Sequence, residues 1–227
     1  MYKKLKIIVP FVLIIVFALV QFFNLLPAVG NIIHDNIMIS GRTAADNIII
    51  VGIDERSINE IGSWPWPRYF MAETITRLHE MGAAAIGVNV LYDTIGAVPE
   101  YDQALLDAAM ATDRLVLGGM GILSHFQDGE LLEIEHLVMP FGDLGFESIV
   151  GFLNPLEDEA DGVMRRSLTS FRYGDITVHS FPFEVYRTFR NSMGQPISDM
   201  PALDEYGRFP IRYVVARVHS GQCPCGA

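Results

Sequence analysis

The feature that most constrains this chain is an apolar stretch close to its N-terminus. Every residue in Ile7–Val20 is apolar, and the stretch continues to Val29 with Gln21 and Asn24 as its only polar interruptions. The 23 residues from Ile7 to Val29 exceed the roughly 20 apolar residues that a transmembrane helix needs. The sequence therefore predicts a membrane anchor over residues 7–29.

The charges around this stretch predict its orientation. The chain's three lysines, at positions 3, 4 and 6, precede it, and the first charge after it is Asp35. Because positive flanks stay in the cytoplasm, residues 1–6 are expected inside the cell and the rest outside. A cleaved signal peptide is the alternative, but the small-x-small cleavage pattern is not clean. A buried core helix fits the basic start and the length poorly.

The rest of the chain is acidic. After residue 30 it has 13 arginines against 27 acidic residues, a formal charge of −14. Such a body repels phosphate backbones, so nucleic-acid binding is not expected. The two cysteines, Cys223 and Cys225, bracket a single residue. A redox pair usually brackets two residues and a zinc site needs four ligands, so we predict a tail feature, with no metal and no cofactor.

Strand and helix patterns alternate along the first half of the body, after a connector over residues 30–46. Asn47–Asp54 is a continuous β-branched run, which predicts a strand buried on both faces. Helical spacing predicts helices over Tyr69–Met81 and Pro99–Thr112. Further strands are predicted over Ala83–Tyr92 and Leu115–Leu117. This alternation favours parallel strands joined by right-handed crossovers.

The second half is less regular. Residues 121–140 predict a loop or a hairpin with Asp128-Gly129 at its turn, and Phe183–Arg190 predicts a helix. Strands are expected near residues 148–153, 166–173 and 209–215. The predicted fold is thus α/β, with a mostly parallel sheet and helices on both faces, spanning residues 47–215. Residues 216–227 are assigned to an unrelated tail.

Several stretches of the body carry a family resemblance. Ile53-Asp54 and the run Trp64-Pro65-Trp66-Pro67-Arg68 resemble the signature of CHASE domains of the second type, the cyclases/histidine kinases associated sensory extracellular domains. Four further stretches agree with it: Gly82–Gly87, Tyr101-Asp102 with Leu105, Asp158–Arg166, and Phe181-Pro182-Phe183. The similarity covers roughly residues 40–215, with Asn89 standing where the family usually has an aspartate.

The resemblance implies an extracytoplasmic sensory domain, periplasmic or extracellular, that binds an unknown small ligand. In that family the domain usually precedes membrane helices and a cytoplasmic cyclase or kinase. After Tyr213 the sequence no longer resembles the family, and we expect a truncated or frameshifted product, or a fragment without its output domain. Signalling would then require a partner, a homodimer or the missing part.

Polar residues near two predicted strand ends form a candidate ligand site. Ligands of open α/β sheets bind beyond the carboxyl ends of the strands, so Asp54, Arg56, Arg68, Asn89 and Asp93 are expected to share one rim. In a binding site Arg68 would hold an anionic group and Asp54 a cation or a hydroxyl. In the alternative, purely structural interpretation, Asp54 caps the following turn and Arg68 pairs with it.

Two further groups complete the candidate ligand-binding residues. Trp64 and Trp66 can stack on a ligand or cage a cation, or else fill a core or face a partner. Asp161 and Arg165 can contact a ligand, or else form a turn with a local ion pair that includes Arg166.

The sequence contains no convincing catalytic motif, so an enzyme is not expected. Two alternatives to the sensory domain stay open. One is an anchored extracytoplasmic hydrolase with a metal at the acidic rim. The other is a structural module that dimerises through the tryptophan loop.

Overall fold

The computed structural model describes residues 2–22, 35, 39–43, 46–123, 134–154, 162–197, 202–204, 207–211 and 213–215. The protein is a mixed α/β structure with two compact units, one formed by Met1–Ile50 with Arg212–Ala227 and one by Val51–Ile211. Its helices are α1 Tyr2–Phe22, α2 Glu55–Ile61, α3 Arg68–Glu80, α4 Pro99–Met110, α5 Gly142–Glu147 and α6 Phe181–Ser192. Its strands are β1 Ile39–Thr43, β2 Ile86–Leu91, β3 Leu115–Leu123, β4 Ile134–Val138, β5 Ile149–Phe152, β6 Arg166–Leu168, β7 Ser170–Tyr173, β8 Ile176–His179, β9 Arg208–Pro210 and β10 Tyr213–Val215.

The smaller unit contains α1 and a parallel pair formed by β1 and β10. Large apolar side chains are exposed along α1, among them Phe11 at 66% and Ile14 at 64%. Within the ranges given above, no helix is long and apolar enough to cross a membrane. The transmembrane helix predicted from the sequence is therefore not supported.

The larger unit is built on one sheet. β2 and β5 flank β3 on opposite sides, and both pair with it in parallel: Leu117 aligns with Val88 in one strand and with Val150 in the other. The far end of β3 continues past β5 and pairs antiparallel with β4. Two smaller antiparallel pairs, β6 with β9 and β7 with β8, complete the described strands.

Helices cover both faces of this sheet. On one face α3, α4 and α5 form the main core with β2 and β3, and the side chains of Ile75, Leu105 and Leu144 are fully buried there. On the other face lies α6, which approaches the sheet at glycines. A Cβ atom at Gly151 would lie 2.5 Å from the Cα atom of Phe181, so this close approach requires glycine.

Most of the predicted elements are confirmed. The sheet is largely parallel with helices on both faces, and α3, α4, β2 and α6 lie where the hydrophobic spacing placed them. The hairpin predicted over residues 121–140 is confirmed as the antiparallel β3–β4 pair. Its predicted turn at Asp128-Gly129 lies outside the described residues.

The buried strand predicted over Asn47–Asp54 is wrong. Residues 48–54 form neither a helix nor a strand, and Ile49 and Ile50 are 85% and 83% exposed. The reason is that a β-branched run indicates a tendency to enter a sheet, whereas a strand also needs a neighbour that bonds its backbone. The short helices α2 and α5 and the strand β8 had no clear pattern in the sequence.

Candidate functional site

The candidate site lies at the carboxyl end of β2, the position where open α/β sheets bind ligands. β2 runs into the loop Tyr92–Val98, which leads to α4. The Trp-Pro-Trp-Pro run ends at Arg68, the first residue of α3. The extended geometry that its prolines impose separates α2 from α3.

Arg68 is held by an acidic partner on another helix. Its Nη1 atom donates to Oδ1 of Asp102 at 2.5 Å, and its Nη2 atom donates to the backbone carbonyl of Thr94. The two side chains are 14% and 9% exposed. The predicted pairing of Arg68 with Asp54 is therefore wrong, because the partner is Asp102.

The second oxygen of Asp102 holds the loop that follows β2. Oδ2 accepts a hydrogen bond of 2.8 Å from the backbone N–H of Gly96. A Cβ atom at position 96 would lie only 2.8 Å from Oδ1 of Asp102, so a side chain there would push the carboxylate away. Arg68, Asp102, Thr94 and Gly96, called the arginine clamp below, thus tie three segments together.

Two aromatic rings enclose the guanidinium of the arginine clamp. Its central carbon lies 4.5 Å from the ring centre of Phe141 and 5.3 Å from that of Tyr92. Such cation–π contacts stabilise a cation that has left water. Burial raises the pKa of Tyr92 to about 12, although the charge of Arg68 works in the opposite direction. The phenol therefore stays neutral at physiological pH.

A chain of aromatic side chains lies beside the clamp. Trp64 and Trp66 meet edge-on with centroids 5.6 Å apart, and Trp66 continues to Phe70 at 6.1 Å. Phe70 stacks on Tyr69 at 4.3 Å, and Tyr69 meets Tyr101 at 5.1 Å. These five residues are called the aromatic cluster below.

Part of the aromatic cluster faces solvent. The indole N–H of Trp66 donates to the carbonyl of Gly62 at 2.7 Å, which fixes this ring against the end of α2. Trp64 is 41% exposed and Tyr69 is 37% exposed. These two partly exposed aromatic side chains, which are linked through Trp66 and Phe70, give the cluster a means of contacting a flat or cationic group.

Asp54 and Arg56 lie on the exposed helix α2. Asp54 is its N-cap, and its Oδ1 atom accepts from the amide and the hydroxyl of Ser57 at 2.8 and 2.7 Å. These bonds hold the pKa of Asp54 below its ordinary value of 3.8. Arg56 pairs with Glu60 at 2.9 Å in full contact with solvent. The structural interpretation of Asp54 as a cap is confirmed.

The other predicted site residues are dispersed. Asn89 and Asp93 are exposed, on β2 and just after it. Arg165 is buried at 8% exposure, and its carbonyl accepts from the amide of Ile211. Asp161 lies outside the described residues. Among the residues that are described, no three His, Cys, Asp or Glu side chains are grouped to hold a metal ion.

Asp102 is the functional residue to which sequence reasoning gave no role. The sequence does contain a pattern that predicts its burial. Asp102, Leu105 and Ala109 are spaced three and four residues apart, so they share one helix face. An acid on the apolar face of a helix needs a buried partner.

Removing one member of the buried pair is expected to destabilise the fold strongly. Asp102→Ala leaves the Arg68 cation buried without its counter-ion, and such changes cost about 3–5 kcal/mol. The matched control is Glu73→Ala, which breaks the exposed Glu73–Arg77 pair on α3 and should cost less than about 1 kcal/mol. Denaturant unfolding measures both, and equal losses would show that the clamp is not a buried ion pair.

The cap at Asp54 is expected to titrate below its ordinary pKa. Because the folded-state pKa is lowered, the stabilisation is complete above 3.8 and is lost as the pH falls through the folded value. Following the Ser57 amide by NMR should give a midpoint below 3.8, and Asp54→Asn should abolish that titration. A midpoint at or above 3.8 would contradict the capping bonds.

Comparison with known proteins gives one match. The family model of the CHASE2 domain matches residues 11–221, nearly the whole chain. No curated protein and no solved structure is similar enough to match. CHASE2 domains are a family of extracellular sensory domains, and with most of its length matched, this chain belongs to the CHASE2 family.

Proposed function

We propose that this chain is the sensory part of a membrane-anchored bacterial receptor, with its larger unit outside the cytoplasm. The match to an extracellular sensory family over residues 11–221 is the observation that carries the proposal. The apolar stretch Ile7–Val29, the lysines before it and the exposed apolar side chains of α1 support the anchor. A cyclase or kinase would supply the output, as part of the same receptor or as a partner.

We further propose that the ligand is a small organic cation bound at the exposed side of the aromatic cluster. Trp64 and Tyr69 are partly exposed to solvent, and the faces of aromatic rings attract ammonium groups. The body's formal charge of −14 draws cations toward the surface over longer distances. An anionic ligand is less favoured, since the guanidinium of Arg68 is already paired with Asp102.

The exposure of Trp64 also favours a second role, contact with another copy of the chain. Exposed tryptophans are frequent at protein interfaces. A ligand site and a dimer interface differ in what changes the tryptophan environment: a small molecule in the first case and protein concentration in the second.

Membrane attachment is expected to depend on the apolar centre of α1. Each arginine at the centre of a membrane helix costs about 2.5–3.5 kcal/mol on insertion scales. The double variant Leu13→Arg/Val16→Arg should therefore move the protein out of the carbonate-resistant membrane fraction, whereas Leu13→Ala/Val16→Ala should stay in it. Extraction of the unchanged protein by carbonate would refute the anchor.

Binding of an organic cation is expected to change the tryptophan fluorescence. The chain has two tryptophans, both in the aromatic cluster, so the signal reports on this surface. Choline is the probe, and 3,3-dimethylbutanol, its uncharged isostere, is the matched control. We expect a saturable change with choline alone, and Trp64→Ala should remove it while Phe146→Ala, at an exposed ring outside the aromatic cluster, should not.

Two other outcomes would overturn the cation proposal. An equal response to choline and its isostere would show that the surface does not recognise charge. A fluorescence change that follows protein concentration and ignores choline would favour the dimer. In either case the family membership stands, because it does not depend on the ligand.

A further inference from the structure

The loop that follows β2 carries two exposed apolar side chains. Residues Tyr92–Val98 connect β2 to α4, and within them Ile95 is 75% exposed and Val98 is 37% exposed. Single exposed apolar residues are common on protein surfaces. These two, however, lie beyond the carboxyl end of β2, where open α/β sheets bind ligands. Their position therefore makes them candidates for contact with a ligand.

Ile95 lies between two members of the arginine clamp. The carbonyl of Thr94 accepts a hydrogen bond from Arg68, and the amide of Gly96 donates to Asp102 at 2.8 Å. The backbone is thus bonded immediately before and immediately after Ile95. Because the loop is already ordered, a ligand that covers Ile95 does not have to order its backbone, and this preorganisation removes a cost from binding.

Val98 joins this loop to the aromatic cluster. It is the N-cap residue of α4, and its carbonyl accepts from the amide of Tyr101 at 3.1 Å. The ring of Tyr101 lies 5.1 Å from that of Tyr69, which is partly exposed. One turn of helix therefore separates the apolar loop from a ring that the proposed cation can contact.

The clamp gives a second connection between the loop and the cluster. Consecutive residues of α3 pair with consecutive residues of α4: Arg68 with Asp102, and Tyr69 with Tyr101. The same Arg68 binds the carbonyl of Thr94, which directly precedes Ile95. The exposed aliphatic and aromatic side chains are thus attached to one rigid arrangement at the starts of the two helices.

Aromatic and aliphatic side chains suit different parts of one ligand. The faces of aromatic rings attract an ammonium group, whereas aliphatic side chains gain free energy when they and an alkyl chain leave water together. A compact cation on the aromatic cluster would leave Ile95 in water. A cation with an alkyl chain can cover Ile95 and Val98 as well.

We propose that the ligand is an ammonium ion with an alkyl chain on its nitrogen, and that Ile95 and Val98 contact this chain. The inference rests on the cation site proposed above and adds the apolar part of the ligand. Ile95, the more exposed of the two residues, then determines which cations the site prefers.

The length of the alkyl chain on the probe tests this inference. Tetramethylammonium and butyltrimethylammonium carry the same charge and differ only in the methylene groups of the chain. Each methylene that is fully buried strengthens binding about fourfold, and a chain on an open surface is covered on one side only. For the full chain in detergent, followed by tryptophan fluorescence, we expect butyltrimethylammonium to bind about tenfold more tightly than tetramethylammonium.

Variants at position 95 identify the residue that contacts the chain. Ile95→Ser should reduce the preference to about threefold or less and leave the affinity for tetramethylammonium unchanged, whereas Ile95→Leu should retain the preference. The control is Met110→Ser, at a side chain that is 62% exposed and ends α4, whose 12 residues span about 18 Å. It should retain the full preference. Partition of the probes into detergent is the same for every variant, so differences among the variants report on the protein.

The results that would overturn the inference differ in what else they overturn. If Ile95→Ser keeps the full preference, or if the unchanged protein binds both probes equally, the alkyl contact is wrong and the cation site stands. If neither probe changes the fluorescence, the cation site is wrong and the alkyl contact is wrong with it. Family membership is unaffected in either case.

Discussion

The arginine clamp is the interaction on which the candidate site depends. Arg68 comes from the start of α3, Asp102 from the first turn of α4, and Thr94 and Gly96 from the loop after β2. A buried cation requires a partner and further hydrogen bonds, and here Thr94 and Asp102, which are 26 and 34 residues from Arg68 in sequence, provide them. One ion pair therefore fixes how both helices meet the end of the strand.

The clamp also determines what the neighbouring surface can recognise. The carboxylate of Asp102 and the rings of Tyr92 and Phe141 contact the guanidinium. The positive charge of Arg68 is therefore paired within the protein. Among the aromatic side chains of the neighbouring cluster, Trp64 and Tyr69 are the more exposed ones, on a body with an excess of acidic residues. The role of Arg68 is thus structural. The neighbouring surface is expected to bind aromatic or cationic groups, and not the anion that an unpaired arginine would bind.

Much of the fold could be predicted from the sequence, for identifiable reasons. Helices α3, α4 and α6 have apolar residues at helical spacing, and β2 is an apolar run that follows the turn glycine Gly82, so local patterns determine them. The clamp required a pairing across 34 residues between helices, and no local pattern specifies such a partner. The buried position of Asp102 can be predicted from the helix face that it shares with Leu105 and Ala109. Its bond to Arg68 can be identified only from the tertiary structure.

The region around Asp54 shows how local and long-range requirements combine. Its bonds to Ser57 lie within four residues of chain, so the cap needs no hydrogen-bond partner from elsewhere in the sequence. A β-branched residue enters a sheet only where a neighbouring strand bonds its backbone, and Val51 and Ile53, which are 67% and 39% exposed, lie outside the strands of the structure. Capping at Asp54 therefore follows from residues close in sequence, whereas entry into a sheet depends on a distant partner that the local pattern does not specify.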